Sequence, residues 1–245
     1  MKTAIKLFML LAVVGYLIFA VSTMSREEDK RICTGTEIII GNEVDGDFVD
    51  TTFVKGLLTK ANTPILDQTI RNIDIGAIRR TILESPYIDS VICYFTPENT
   101  MCLRIFPRKP VLHVIPTSGG NFYMDAKGNA MPTNLFLQDL CLVTGNVSTK
   151  YARENLLDMA IYINTHEPWN REIQQIHVAD NGRMELVTQT GDHTIILGDA
   201  TNIEDKLRRL AIFCEEGLNK AGWNKYDIID LSYAGQVVCT RKKTK

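Results

Sequence analysis

The sequence predicts an α+β protein with one N-terminal transmembrane helix followed by two small α+β units outside the cytoplasm. Three observations carry that class. An uninterrupted apolar run lies near the amino end, a strand-helix-helix-strand-strand order follows over residues 32–106, and residues 107–239 are strand-rich with a mostly antiparallel hairpin pattern. A chain of 245 residues that is 45% hydrophobic and 23% charged is an ordinary folded protein of one or two domains. Its 27 basic and 29 acidic side chains leave a net charge of -2, so no global field draws it onto nucleic acid. Six cysteines are too sparse for a disulfide scaffold, and none forms C-x-x-C or a Cys/His cluster at zinc-ligand spacing.

From Leu7 to Val21 no side chain is charged, and the uncharged stretch continues through Met24. Residues 7–24 rise about 27 Å as a helix, enough to cross a bilayer core. Charge is nearly symmetric about the run, with Lys2 and Lys6 before it and Arg26, Lys30 and Arg31 after it, so length orients it: residues 1–6 form a cytoplasmic head and the long polar remainder is exported. The competing reading is a cleaved leader with Ala20-Val21-Ser22 as its cleavage site, although the run exceeds the ~7 to 15 apolar residues of a usual signal core. In either case Cys93 and Cys102, one on each arm of a hairpin, lie in an oxidising space. They can pair if they sit opposite each other; otherwise they are two small buried hydrophobes.

In the first exported block, Ile32 to Asn42 is β-branched and strand-like. Asp50 or Thr51 caps a short helix carrying Phe53, Val54, Leu57 and Leu58. Asn72 or Asp74 opens a second, whose Ile75, Ile78, Ile82 and Leu83 share one face before Ser85-Pro86 ends it. Ser90 to Phe95 and Met101 to Phe106 are strands joined by the turn 96–99.

The second block runs through strands Val111 to Ile115 and Asn121 to Asp125, then a helix from about Thr149 to Asn164 with Ala152, Leu156, Met159, Ala160 and Ile163 on one side. Asp180-Asn181-Gly182 joins strands Ile173 to Val178 and Met184 to Thr188, because Asn-Gly accepts the positive φ of a tight turn. After a strand from His193 to Leu197, Thr201 and Glu204 stand at capping-box spacing. They open a helix with the stripe Ile203, Leu207, Leu210, Ala211, Cys214 and Leu218, stopped by Gly222. A last strand, Ile228 to Val238, precedes the basic tail 240–245.

Chemistry is sparse. His113, His166, His177 and His193 are isolated, with no pair at i, i+4, and read as surface or structural residues. Neither G-x-S-x-G nor S-x-x-K occurs, and glycine-rich phosphate loops are absent. Asp125, Asp180, Asp192 and Asp199 stand near turns, where aspartate bonds to local backbone and needs no catalytic role. No catalytic, metal or cofactor residues are assigned, and no small-molecule substrate is implied. What remains is an adaptor. Ile229, Leu231 and Tyr233 alternate with Asp230, Ser232 and Ala234, a strand with one apolar face; at a sheet edge it could accept a partner's strand, or it could complete its own sheet with Tyr233 in the core.

This order of parts resembles the FtsQ/DivIB bacterial cell-division family, whose first exported domain is of the POTRA type. Phe106-Pro107-Arg108-Lys109-Pro110-Val111 is similar to the family's basic, proline-containing junction. Phe122-Tyr123-Met124-Asp125-Ala126-Lys127-Gly128 resembles its strand and D-x-x-G turn, and Leu142-Val143-Thr144-Gly145 the segment that follows. Ile229-Asp230-Leu231-Ser232-Tyr233 is similar to its closing D-L-R strand, with Ser232 where the family often has Arg.

The resemblance implies a POTRA-type β-α-α-β-β domain at 32–106, then a strand-rich domain at 107–239 with a mostly antiparallel sheet. It also implies a non-enzymatic, single-pass protein of the cytoplasmic (inner) membrane, with its bulk periplasmic, that gathers at the division septum. Such a protein binds small bitopic division proteins of the FtsB/FtsL type by strand addition, here at Leu231, Ser232, Tyr233, Ala234, Gly235, Gln236 and Val237. Two other classes stay open: an exported cell-envelope hydrolase with a cleaved leader, and a POTRA-type strand-binding chaperone for outer-membrane proteins, for which the chain is short of repeats or barrel strands.

Overall fold

The computed structural model describes residues 8–20, 31–41, 49–133 and 140–242. Residues 8–20 are helical and apolar residues are exposed along the whole helix, Phe8, Leu10, Tyr16, Leu17 and Phe19 among them. The rest of the 7–24 span expected to cross the membrane lies outside the described residues, and among those described no helix is long and apolar enough to do so. The chain divides after Pro107 into two compact units, Met1–Pro107 and Arg108–Lys245.

In the first unit, β1 (Gly35–Ile40) runs parallel to β3 (Thr100–Pro107), and β2 (Ile88–Phe95) pairs antiparallel with β3, giving the order β1-β3-β2. The chain before Gly35 is extended but off the ladder: Cys33 and Arg31 exchange backbone hydrogen bonds with residues 67–70 instead. Helices α1 (Thr51–Lys60) and α2 (Ile75–Leu83) are capped by Asp50 and Asp74, whose carboxylates accept from the N–H groups of Phe53 at 2.6 Å and Ala77 at 2.9 Å. Val54 and Leu58 of α1, with Ile78 and Ile82 of α2, are buried along with Val91, Met101, Leu103 and Ile105 of the sheet. Cys93 lies opposite Leu103, and Cys102 opposite Tyr94. The pair is therefore one residue out of register, on opposite faces of the sheet, and both thiols are free.

The second unit is one nine-stranded sheet in the order β12-β11-β10-β9-β8-β7-β4-β5-β6. Its strands are β4 (Pro110–Pro116), β5 (Phe122–Asp125), β6 (Ala130–Pro132), β7 (Leu142–Gly145), β8 (Ile173–Val178), β9 (Met184–Thr188), β10 (Thr194–Gly198), β11 (Tyr226–Asp230) and β12 (Val238–Arg241). Most pairings are antiparallel, but β4/β7, β7/β8 and β10/β11 are parallel. The last two follow from helical crossovers, α3 over 149–165 with the short α4 (Trp169–Glu172) after it, and α5 over 203–221. Ala152, Leu156, Met159, Ala160 and Ile163 of α3 join Leu207, Leu210 and Leu218 of α5 in one core with Val143, Ile176, Leu186, Ile195 and Ile229.

Two expectations for α5 change. Thr201 does not cap it: Asp199 captures the Thr201 hydroxyl at 2.6 Å and its N–H at 3.0 Å, and Asn202, at φ 52, takes the N-cap position without a side-chain bond. The helix also has a π-helical segment at Phe213–Leu218; Ala211, expected on the buried stripe, is exposed, and Phe213 packs against the core.

At the β5–β6 turn Asp125, 4% exposed, accepts from the N–H groups of Lys127 (2.9 Å) and Asn129 (2.8 Å) and from the Arg108 guanidinium (2.8 Å). Burial pushes its pKa up, but the hydrogen bonds from Asn129, Arg108 and Lys127 outweigh that and hold it below the ordinary carboxylate value. The depressed folded pKa means that its contribution to stability is present above the unfolded value near 3.8 and is lost as pH falls through the folded value. Asp125→Ala is expected to cost about 2 to 3 kcal/mol at neutral pH, because it removes the buried acceptor shared by the Arg108 guanidinium and the Lys127 and Asn129 amides. Urea unfolding at pH 7 and pH 3 checks this: the wild-type advantage should shrink at the lower pH.

Candidate partner-docking edge

β11 and β12 form an antiparallel hairpin at one edge of the sheet, with Ile229 opposite Cys239 and Asp230 opposite Val238. The strand expected from Ile228 to Val238 is thus two strands and a turn. The chain leaves β11 at Asp230, turns through residues 231–237, and returns as β12.

Each residue assigned to the edge therefore lies in the connection. Leu231 is fully buried and its N–H donates to the Ile196 carbonyl at 2.8 Å, which anchors the turn to β10. The Ser232 N–H and hydroxyl both donate to Asp230 Oδ1, at 2.9 and 2.5 Å, an Asx-type turn that ends the strand. Tyr233 to Gln236 is a β-turn closed by the Gln236 N–H on the Tyr233 carbonyl at 3.4 Å, and Gly235 supplies the positive φ (68°) that its third position requires. Tyr233 is 55% exposed rather than packed in the core, Ser232, Ala234, Gly235 and Gln236 are exposed, and Val237 packs against the core.

What holds this connection is Arg209 on α5. Its Nη1 donates to the Tyr233 carbonyl at 3.0 Å and to the Gln236 carbonyl, its Nη2 to the Leu231 carbonyl at 3.1 Å, and its Nε to Asp205 Oδ2 at 2.9 Å. One planar guanidinium therefore fixes three carbonyls of the turn from one side. Arg183 pairs with Asp230, at the end of β11, at 3.1 Å. Sequence reasoning missed both Arg209 and β12. The signals available were Ala-Gly as a turn, the β-branched run Val237-Val238-Cys239-Thr240 after it, and an arginine beside the buried Leu210.

β12 presents Val238, Thr240 and Arg241 as exposed residues, with Cys239 turned inward against the core. Its outer side has no neighbouring strand among the described residues. The edge thus joins unpaired strand backbone to a rigidly held turn bearing an exposed aromatic ring, and Val238 is 42% exposed beside it.

The histidines lie elsewhere. His177 Nδ1 is 3.1 Å from Thr144 Oγ1 on the adjacent strand, His166 stacks on Tyr162 at 4.0 Å, and His113 lies 4.5 Å from Tyr123. Among the described residues no three His, Cys, Asp or Glu side chains are grouped as a metal site would need.

Comparison with family models matches residues 109–240 to one described as FtsQ/DivIB, C-terminal related, and residues 31–106 to a POTRA-like domain. A search of curated proteins finds no match.

Proposed function

Because the chain belongs to the FtsQ/DivIB family, a non-enzymatic family of cell-division proteins, we propose that it is a bitopic scaffold of the bacterial divisome. Residues 1–6 stay in the cytoplasm, residues 7–24 cross the inner membrane, and the domains at 32–106 and 107–239 work in the periplasm at the division septum. The apolar residues exposed along helix 8–20 support the membrane assignment, since a helix apolar all round requires an apolar environment. The role is one of assembly: the second unit binds small bitopic division proteins of the FtsB/FtsL type, and the POTRA-like unit assists recruitment.

The observation that carries the docking reading is the open edge of β12 next to the Arg209-held turn. A partner segment adds as a strand along Val238–Arg241, where main-chain hydrogen bonds supply affinity, and Tyr233 with its neighbours in 231–237 supplies selectivity.

A photo-crosslinking residue at Thr240 or Tyr233 of the full-length protein in dividing cells is expected to capture a small bitopic division protein. The same group at Ala130, on β6 at the opposite sheet edge, should not. Tyr233→Ala should weaken capture about tenfold with Tm unchanged, because the ring is more than half exposed. Capture from Ala130 but from neither Thr240 nor Tyr233 would overturn the assignment of the edge.

A further inference from the structure

We propose that the second unit carries a ligand pocket, built from residues outside the docking edge, that binds a small apolar cation: an ammonium or guanidinium group on a short apolar stem. The cavity, ≈ 340 Å³, opens between α4, the β9–β10 turn and α5. Trp169, Ile195, Leu210 and Trp223 form apolar walls, and Glu172 and Glu215 stand among the lining residues with no lysine or arginine.

The polar groups point to the sign of the ligand. Glu172 accepts one hydrogen bond, from the Thr190 hydroxyl at 3.2 Å, which leaves further acceptor capacity on the carboxylate. Cys214 adds no charge, since burial, helped by the nearby Glu172, pushes its thiol up to about 11. His193 is 6% exposed, lies 6.0 Å from Trp223 in a stacked arrangement, and its Nδ1 finds no hydrogen-bond partner among the described residues. Burial lowers its pKa, opposed by Asp192 and assisted by Lys242, which favours the uncharged imidazole.

A cation in this cavity has two tryptophan side chains and two glutamates among the residues that line it. An anion meets the same carboxylates as repulsion, and a neutral alcohol of the same shape gains burial and at most an uncharged hydrogen bond. The shared chemistry fits a free amine or a lysine or arginine side chain of a bound peptide.

Trp169 and Trp223 are the two tryptophans of the chain, so intrinsic fluorescence reports on this pocket. The full chain in phosphatidylcholine nanodiscs is titrated with 2-phenylethylamine, 2-phenylethanol and 3-phenylpropionate, and separately with N-acetyl-lysine methylamide. The amine should give a saturable change, with the alcohol and acid at least about tenfold weaker. The Glu172→Gln/Glu215→Gln double variant should lose that preference with Tm retained. Ala211→Phe, at an exposed position on the rim, should block the response without disturbing the fold. Saturation by the lysine amide identifies a peptide side chain as a competent source, and saturation by the free amine alone identifies a small molecule. Equal binding of the three phenyl compounds, no saturable response to either ammonium at millimolar concentration, or a preference that survives the double variant would overturn the proposal.

Discussion

Gly145→Ala is expected to unfold the second unit. Gly145 ends β7 in the middle of the nine-stranded sheet, paired with Pro116 on β4 and Val178 on β8. Its φ is +105°, and a Cβ built there would lie 2.0 Å from the Val178 carbonyl oxygen, 2.9 Å from its carbon and 3.1 Å from its nitrogen. The obstacle is backbone held in place on both sides: the Asn146 N–H donates to that same Val178 oxygen at 2.9 Å, and the Thr117 N–H donates to the Gly145 carbonyl at 2.8 Å. Relief requires separating β7 from β8, and with it the side of the core formed by Val143 and Ile176. The cost is about 4 kcal/mol or more, comparable with the whole stability of many domains. Gly182→Ala is the internal control. Its φ is +79°, but a Cβ there meets nothing within 4 Å, so only the conformational cost of about 1 kcal/mol remains. Urea unfolding with limited proteolysis checks the contrast: Gly145→Ala should leave a protease-resistant fragment of the first unit and none of the second. Equal effects of the two substitutions would show that the close approach to Val178 is not the controlling contact.

Local physics made much of the fold readable. Asp50 and Asp74 announce their helices because a cap needs a side chain only three residues from its partner, and the α3 stripe falls on one face because 3.6 residues per turn place it there. Errors arise where the deciding contact is distant or competes with a local signal. Thr201 and Glu204 have capping-box spacing, but Asp199 reaches the Thr201 hydroxyl first. Cys93 and Cys102 sit on facing arms, yet the register set by the turn between them leaves them one residue apart. At the end of the chain the alternation Ile229, Leu231 is real, since both are buried, but it continues past the end of the strand because Leu231 enters the core from a turn. Tyr233 then emerges into solvent. The candidate edge depends on Arg209, whose carbonyl partners lie 22 to 27 residues away and belong to no recognisable motif.

Arg209→Met should loosen the docking turn and lower stability by about 2 kcal/mol, the scale of charge-assisted hydrogen bonds lost from a side chain that is 11% exposed. The Leu231 carbonyl is the least accessible of its three acceptors and accounts for most of that cost, because water can take over at the exposed Tyr233 and Gln236. Arg209→Lys should recover less than half, since a single ammonium cannot reproduce a planar fork that serves three carbonyls and Asp205 together. Arg208→Met provides the comparison one residue away: that side chain is 65% exposed and pairs with the same Asp205 at 2.6 Å, so its loss should stay within about 0.5 kcal/mol. If β12 and its turn form the partner's seat, capture of the bitopic partner should fall at least about tenfold in Arg209→Met and remain near wild type in Arg208→Met. The two readouts also separate structure from docking. A fall in Tm with undiminished capture would keep Arg209 as the clamp of the turn but remove the turn from the binding surface. Unchanged Tm in Arg209→Met would mean that the turn is held by Leu231 and Asp230 without it.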